Sequence, residues 1–141
     1  MIKPDGVKKN VIGKIIGRFE SEGMKLVALK MMPPQKELIE KFYAEHSEKS
    51  FYGPFIEFMT SGPIVATVWE GDDIINKSRK IIGATNSTEA APGTLRKLFG
   101  TDNRSNLVHG SDSEASMRRE ISIIFKESEI CDNFLKTIDF Q

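Results

Sequence analysis

Cysteine is almost missing from this chain. Cys131 stands alone, so no internal disulfide and no cysteine metal cage can form. An excess of one charge is missing too. The 20 basic and 20 acidic side chains give a formal net charge of zero, so bulk electrostatics argues for neither nucleic acid nor an anionic membrane as partner. Any anion must be held by local placement. No apolar run approaches the ~20 residues of a membrane helix, and the start lacks a signal-peptide apolar core. A soluble, cytoplasmic protein is the expectation. Several signature loops are absent as well: G-x-x-x-x-G-K-[ST], G-x-G-x-x-G, H-R-D, H-E-x-x-H, and a G-x-S-x-G elbow around Ser111. Their absence removes the P-loop, protein-kinase, zincin and common hydrolase routes.

What remains is an ordinary globular composition, 141 residues with 39% hydrophobic and 28% charged side chains, expected to form a single domain over 1–141. Apolar periodicity predicts a helix over 10–22, capped by Asn10 and ended by Gly23, with Val11, Ile15 and Phe19 on its inner face. A strand is expected over 24–32, with Val27, Leu29 and Met31 inward, stopped by Pro33-Pro34. Helix 35–46 follows, then a turn-rich stretch 50–63 holding an aromatic cluster. Residues 64–70 form the clearest strand, nearly all apolar. Asp72 or Asp73 caps a helix through Ile82; a polar loop over 83–93, a short helix over 94–99 and a polar connection over 100–105 come next. Leu107–His109 reads as a strand end and 113–125 as a helix, with 126–141 wrapping the surface. Phe55, Phe58, Val65, Val68, Ile81 and Leu107 are expected in one core. This pattern alone allows either a parallel α/β sheet or a ferredoxin-like βαββαβ plan.

The chain centres on Asn106–Ser113, Asn-Leu-Val-His-Gly-Ser-Asp-Ser. His109 is one of two histidines and follows the apolar pair Leu107-Val108. Gly110 allows a sharp turn, and Ser111-x-x-Glu114 reads as a capping box. An imidazole near free helix N–H groups suits a nucleophile beside an anion site. A lone histidine is more often structural, and His46, among charges near a helix end, reads that way.

The full string N-x-x-H-G-S-D-S resembles the active-site signature of nucleoside diphosphate kinases. The similarity runs from Lys3-Pro4-Asp5-Gly6 through Ser61-Gly62-Pro63, Gly83-Ala84-Thr85-Asn86 and Pro92-Gly93-Thr94-Leu95-Arg96 to Glu120. The resemblance implies an α+β fold of the ferredoxin-like βαββαβ type, a four-stranded antiparallel sheet with helices packed on it. It implies γ-phosphate transfer from nucleoside triphosphates to nucleoside diphosphates through phosphohistidine, with Mg²⁺ carried by the nucleotide phosphates rather than by a protein metal site. It also implies a homo-oligomer, tetramer or hexamer, and neither membrane nor nucleic acid as partner. By the same resemblance His109 is the nucleophile, and Glu120 bonds its other ring nitrogen. Lys3, Arg79 and Arg96 meet phosphate, with Thr85 as a hydroxyl donor. Lys3 and Asn106 read the ribose hydroxyls and Phe51 stacks on the base. Tyr43 matches the family's tyrosine, with Tyr52 as the competing register. Ser111 bonds near the carboxylate and Asp112 helps cap the helix.

Three features depart from the family pattern. Only Met1 and Ile2 precede Lys3, where relatives carry a first strand; Ser87 stands where proline is usual, and Leu98 where an acid is common. A binding scaffold with little turnover is the reading from another class, set against by the joint presence of Lys3, Arg79, Arg96, His109 and Glu120.

Overall fold

The computed structural model describes residues 1–131 and Phe140, so the surface wrap expected of the tail lies outside the described residues for 132–139 and 141. The Pro-Asp-Gly stretch, read as a turn, is a short helix, α1 (Pro4–Lys8). Proline opens it where its missing N–H costs nothing. Helix α2 spans Ile12–Ser21 with Ile15 and Phe19 buried. Asn10 does not cap it: Val11 holds the cap position, and Asn10 takes a left-handed φ of 58° that asparagine tolerates.

Strands β1 (Lys25–Met32) and β2 (Ile64–Glu70) pair antiparallel. An irregularity between Leu26 and Ala28 shifts the phase of β1, so Val27 and Ala28 are both buried while Leu29 and Met31 face out. This overturns the alternation expected there, since one extra residue reverses every later side chain. Between the strands lie α3 (Lys36–Phe42), a 3₁₀ turn at Ala44–His46 and α4 (Tyr52–Met59). The region expected as turns is therefore helical, with Gly53-Pro54 in the first turn, where proline is tolerated. After β2 come α5 (Ile74–Ile82), α6 (Leu95–Phe99) and α7 (Glu114–Ile124).

The regular sheet among the described residues has two strands, β1 and β2. Ile2 extends it by single antiparallel bridges to Val65 on one side and Val108 on the other. Leu107–Val108 thus contributes one bridge instead of a strand. The cause is local: Leu107 has φ 79°, and the Val108 N–H turns back to the Asn106 carbonyl at 2.9 Å. A left-handed residue interrupts a strand's pleat.

Side chains alternate along β2 and feed two cores rather than the single one expected. Ile64, Ala66 and Val68 pack with Ile39, Phe42, Met59, Ile121 and Ile124. Val65 faces the other layer, with Ile2, Phe19, Ile81, Leu95 and Leu107. Of the expected core residues, Val65, Val68, Ile81 and Leu107 are buried, whereas Phe55 and Phe58 are half-buried against Ile56 and Met59. No described helix is long and apolar enough to cross a membrane.

Helix α7 opens on Ser113, whose hydroxyl accepts from the Ser116 N–H at 3.1 Å. Ser111 forms no capping box. Asp112, expected to help cap, bonds Ser116, which with Ser113 and Arg79 holds its carboxyl below the usual range. Ser113→Ala should therefore lower unfolding free energy in urea by about 1 kcal/mol, typical of a lost N-cap. An unchanged midpoint would remove Ser113 from that role.

Candidate active site

His109 leaves the turn at Leu107 with its backbone paired: its N–H donates to the Met1 carbonyl at 2.8 Å. Gly110 follows with negative φ; its use is close approach, since a Cβ there would lie 2.8 Å from Ile82 Cδ1. Helix α7 then returns Glu120 to the histidine. His109 Nε2 lies 2.5 Å from Glu120 Oε1, and the Ser111 hydroxyl donates to the same oxygen at 2.9 Å. A carboxylate accepts only, so Nε2 carries the proton and Nδ1 keeps its lone pair. Glu120 is 7% exposed, and burying that carboxylate is tolerable because two donors meet one of its oxygens. Burial holds the His109 pKa below its ordinary value, with Glu120 opposing, so the imidazole is neutral near pH 7.

Two aromatic edges hold the ring. Phe42 and Tyr43 meet His109 nearly perpendicular, with centroids 5.0 and 5.5 Å away. Tyr43 meets Phe55 edge-on at 4.7 Å, and Phe55 faces Phe51 at 6.5 Å, so rings lead from His109 to the rim. The Tyr43 hydroxyl is buried and without a partner among the described residues, and burial raises its pKa. Tyr52, the competing register, donates to the Glu40 carbonyl at 3.4 Å instead. Phe51 is 45% exposed beside His46 and Lys49.

The cations converge from separate elements. Lys3 is buried, donates to Asn106 Oδ1 at 2.6 Å and lies 5.4 Å over the Phe55 ring. Burial first, then the Arg96 charge, lowers its pKa to about 8. Asn106 Nδ2 in turn donates to the carbonyls of Thr85 and Asn103. Arg96 spends three N–H groups on carbonyls: Nε to Asn106 at 3.1 Å, Nη1 to Gly83 at 3.0 Å and Nη2 to Val108 at 2.8 Å. Two of the five guanidinium N–H groups remain, fewer than the open fork expected from its residue type. Desolvation and the neighbouring Arg79 lower the Arg96 pKa to about 10. Arg79 and Thr85 are exposed; the Thr85 carbonyl is held by Asn106, and the Arg79 side chain makes no hydrogen bond or ion pair among the described residues. Every site residue singled out from sequence except Phe51 thus lies in, or is linked by contact or charge to, one cluster around His109; Phe51 reaches it through Phe55.

Sequence reasoning missed Phe42, Phe55 and Asp5. The phenylalanines carried only a core signal, and Asp5 lay inside a stretch read as a turn. Ser87 is buried with its N–H on the Asp102 carbonyl and its hydroxyl without a partner among the described residues, while Leu98 is exposed. A cavity of about 420 Å³ opens behind Glu120, lined by Phe19, Trp69, Ile74 and Phe125 among others. None of Lys3, Arg79 or Arg96 lines it, so this cavity lacks the cations of the cluster. Among the described residues no three of His, Cys, Asp or Glu are grouped to hold a metal ion. The donor set is cationic and hydroxylic, which fits a metal that arrives on phosphate oxygens.

The family model described as nucleoside diphosphate kinase matches residues 1–130. The chain is 51% identical over 130 residues to the nucleoside diphosphate kinase of Halalkalibacterium halodurans, covering 92% of this chain and 88% of the relative. It is 49% identical over 139 residues to that of Carboxydothermus hydrogenoformans, covering 99% and 93%. Among solved structures it resembles the halophilic Halobacterium salinarum enzyme in complex with CDP, at TM-score 0.90 and 44% identity, covering 93% of this chain and 88% of that one. The Aquifex aeolicus enzyme matches at TM-score 0.90 and 46% identity, covering 92% and 94%. With its motif, its site geometry and this similarity over nearly its whole length, the chain belongs to the nucleoside diphosphate kinase family.

Proposed function

We propose that this chain, acting as one domain, transfers the γ-phosphate of a nucleoside triphosphate to a nucleoside diphosphate by way of His109 Nδ1. The observation that carries the reading is the Nε2 contact with Glu120, which leaves Nδ1 as the nitrogen with a free lone pair. In the first half-reaction that lone pair attacks the γ-phosphorus and the bond to the β-phosphate oxygen breaks, releasing the diphosphate. The second half-reaction is the reverse on another diphosphate, whose terminal oxygen attacks phosphorus as the N–P bond breaks. Glu120 stabilises the positive charge that grows on the ring at each transfer, and Ser111 steadies Glu120.

Lys3, Arg79 and the two remaining N–H groups of Arg96 meet the phosphates, and the Thr85 hydroxyl adds a donor. Lys3 presents donors to the ribose hydroxyls, and Asn106, whose amide N–H groups are taken by Thr85 and Asn103, offers them its Oδ1 as an acceptor. Phe51, exposed on the rim, stacks on the base, which accommodates any base because each has a π-face. Mg²⁺ would come on the nucleotide phosphates rather than on a carboxylate cage among the described residues, and would supply neutralisation of their charge. The bridges of Ile2 to Val65 and Val108 support a four-stranded ferredoxin-like βαββαβ frame in the order Val108, Ile2, β2, β1.

Rapid quench with labelled ATP and no acceptor tests the mechanism. The label should be acid-labile and base-stable, as an N–P bond is, and His109→Gln should abolish label and turnover together. Acid-stable label persisting in that variant would move the nucleophile to a serine, and no label in the native protein would leave a binding scaffold.

The pH profile follows from the two shifted groups. Lys3 binds phosphate as a cation, and its lowered pKa means the charge is lost as pH rises through about 8. The alkaline limb of kcat/KM, which reports the free enzyme, should fall near there. Bound phosphate favours the protonated amine, so the limb of kcat should lie higher. His109 must be neutral to attack, and its depressed pKa keeps it so below 6.5. A kcat/KM flat from pH 7 to 10 would contradict the role of Lys3.

The chain also assembles as a homo-oligomer, tetramer or hexamer, in this reading. Leu29 and Met31 on β1 and Leu98 on α6 are 52%, 57% and 55% exposed, apolar side chains that partner copies would cover. Sedimentation at micromolar concentration should give several chain masses, and a monomer would refute the assembly.

A further inference from the structure

The stretch that leads to His109 passes through a backbone conformation that leucine seldom adopts. Leu107 has φ 79° and is fully buried. Strain of this kind costs on the order of 1–3 kcal/mol and persists only when its surroundings hold it. The Val108 N–H bonds back to the Asn106 carbonyl, which makes Leu107 the centre of a three-residue turn. That turn leaves the Leu107 N–H without a ladder partner in the interior. The Asp5 side chain, 102 positions away in sequence, meets it: Oδ2 accepts the Leu107 N–H at 3.0 Å.

The consequences radiate from this one bond. The Leu107 carbonyl accepts from the Lys3 N–H at 2.9 Å, while the carbonyls on either side, of Asn106 and Val108, both accept from Arg96. One left-handed residue therefore aims the Asn106 side chain at Lys3, anchors the guanidinium, and delivers His109 two peptides later. Gly6 permits the approach. A Cβ there would lie 3.1 Å from the Leu107 oxygen and 2.7 Å from Ile2 Cγ2. Asp5 is 9% exposed, its other oxygen has no partner among the described residues, and its charge favours the protonated forms of Lys3 and Arg96.

We propose that Asp5 is a positioning residue for phosphoryl transfer, holding Leu107 in its left-handed conformation so that the 106–109 segment presents His109, Asn106 and Arg96 in register. This rests on His109 being the phosphate carrier. An acid in the first turn of a short helix would interact favourably with the helix dipole wherever its oxygens pointed. The positioning role instead requires an acceptor at one place.

Two substitutions separate charge from placement. Asp5→Asn keeps an acceptor oxygen where Oδ2 stands and loses the charge; Asp5→Glu keeps the charge and moves the acceptor by one methylene. Each is compared with the native protein in single-turnover formation of phosphohistidine at saturating ATP, alongside ATP affinity by calorimetry and thermal melting. Labelling of the native protein checks the underlying mechanism first, so failure there is distinct from failure here. Asp5→Asn should transfer within about fivefold of the native rate and bind ATP as the native protein does, whereas Asp5→Glu should transfer about 10²-fold more slowly at saturating ATP, the scale of a 1 Å misplacement, and bind ATP more weakly because Asn106 and Arg96 move with the segment. Native-rate transfer in Asp5→Glu, or equal losses in both variants, would overturn the positioning role.

Discussion

A buried carboxylate that must find its donors sets the terms for the rest of this site. Glu120 sits inside the first core layer beside Ile121 and Ile124, where an unpaired charge would cost several kcal/mol. Its partners are the His109 ring and the Ser111 hydroxyl, both on the segment just before α7. The helix must therefore begin after Ser111, which is why Ser113 takes the cap and Ser111 is left free for Glu120. The same bond dictates the tautomer. Packing then removes the ring's remaining freedom, with Phe42 and Tyr43 against it and Gly110 close on Ile82. Side chains locked in this way need no reorganisation when charge develops.

The cationic half works on the opposite principle, with charges held apart from water and short of counter-charge. Lys3 and Arg96 each have lowered proton affinity, chiefly through burial and then through a neighbouring cation. Asp5 offsets part of this. What it leaves is a cluster in which, in the proposed function, a polyanion would relieve repulsion already present in the free protein. Because Arg96 is tied to three carbonyls and Lys3 to Asn106, that repulsion cannot be escaped by side-chain rotation. In the proposed function the binding energy would thus be concentrated at the phosphates.

The legible parts of the sequence were those where one period governs several turns. Helices α2, α5 and α7 and strand β2 carry an uninterrupted apolar pattern, and all were found near their expected bounds. Errors arose where one residue broke the period. The irregularity near Val27 inverted the expected faces of β1, and proline in the first turns of α1 and α4 made helices look like turns. Leu107 was the least legible position of all, since nothing in a leucine announces a positive φ. At the site, the eight-residue motif alone singles out His109, while Lys3, Arg79, Arg96 and Glu120 are indistinct singly and stand out only as a set. Phe42 and Phe55 stayed hidden because an aromatic against the site and one in the core share the same signal.

In the proposed function, selectivity and rate would draw on different elements of this fold and could be tuned apart. Phe51 belongs to the rim near α4, held by ring contacts to His46 and Phe55 and by the Lys49 ammonium over its face. It is the exposed end of a row of rings that reaches His109 through Tyr43. In the proposed function a base stacked there would gain affinity from overlap, with no hydrogen bond required at its edge. The phosphates would meet Lys3 before α1 and Arg96 in α6, both tied to the 106–109 turn. The proposed substrate would then have a flat, permissive platform at one end and a rigid cradle at the other. Breadth toward the base would carry little penalty in rate, because the interactions that must tighten in the transition state would lie at the phosphate end.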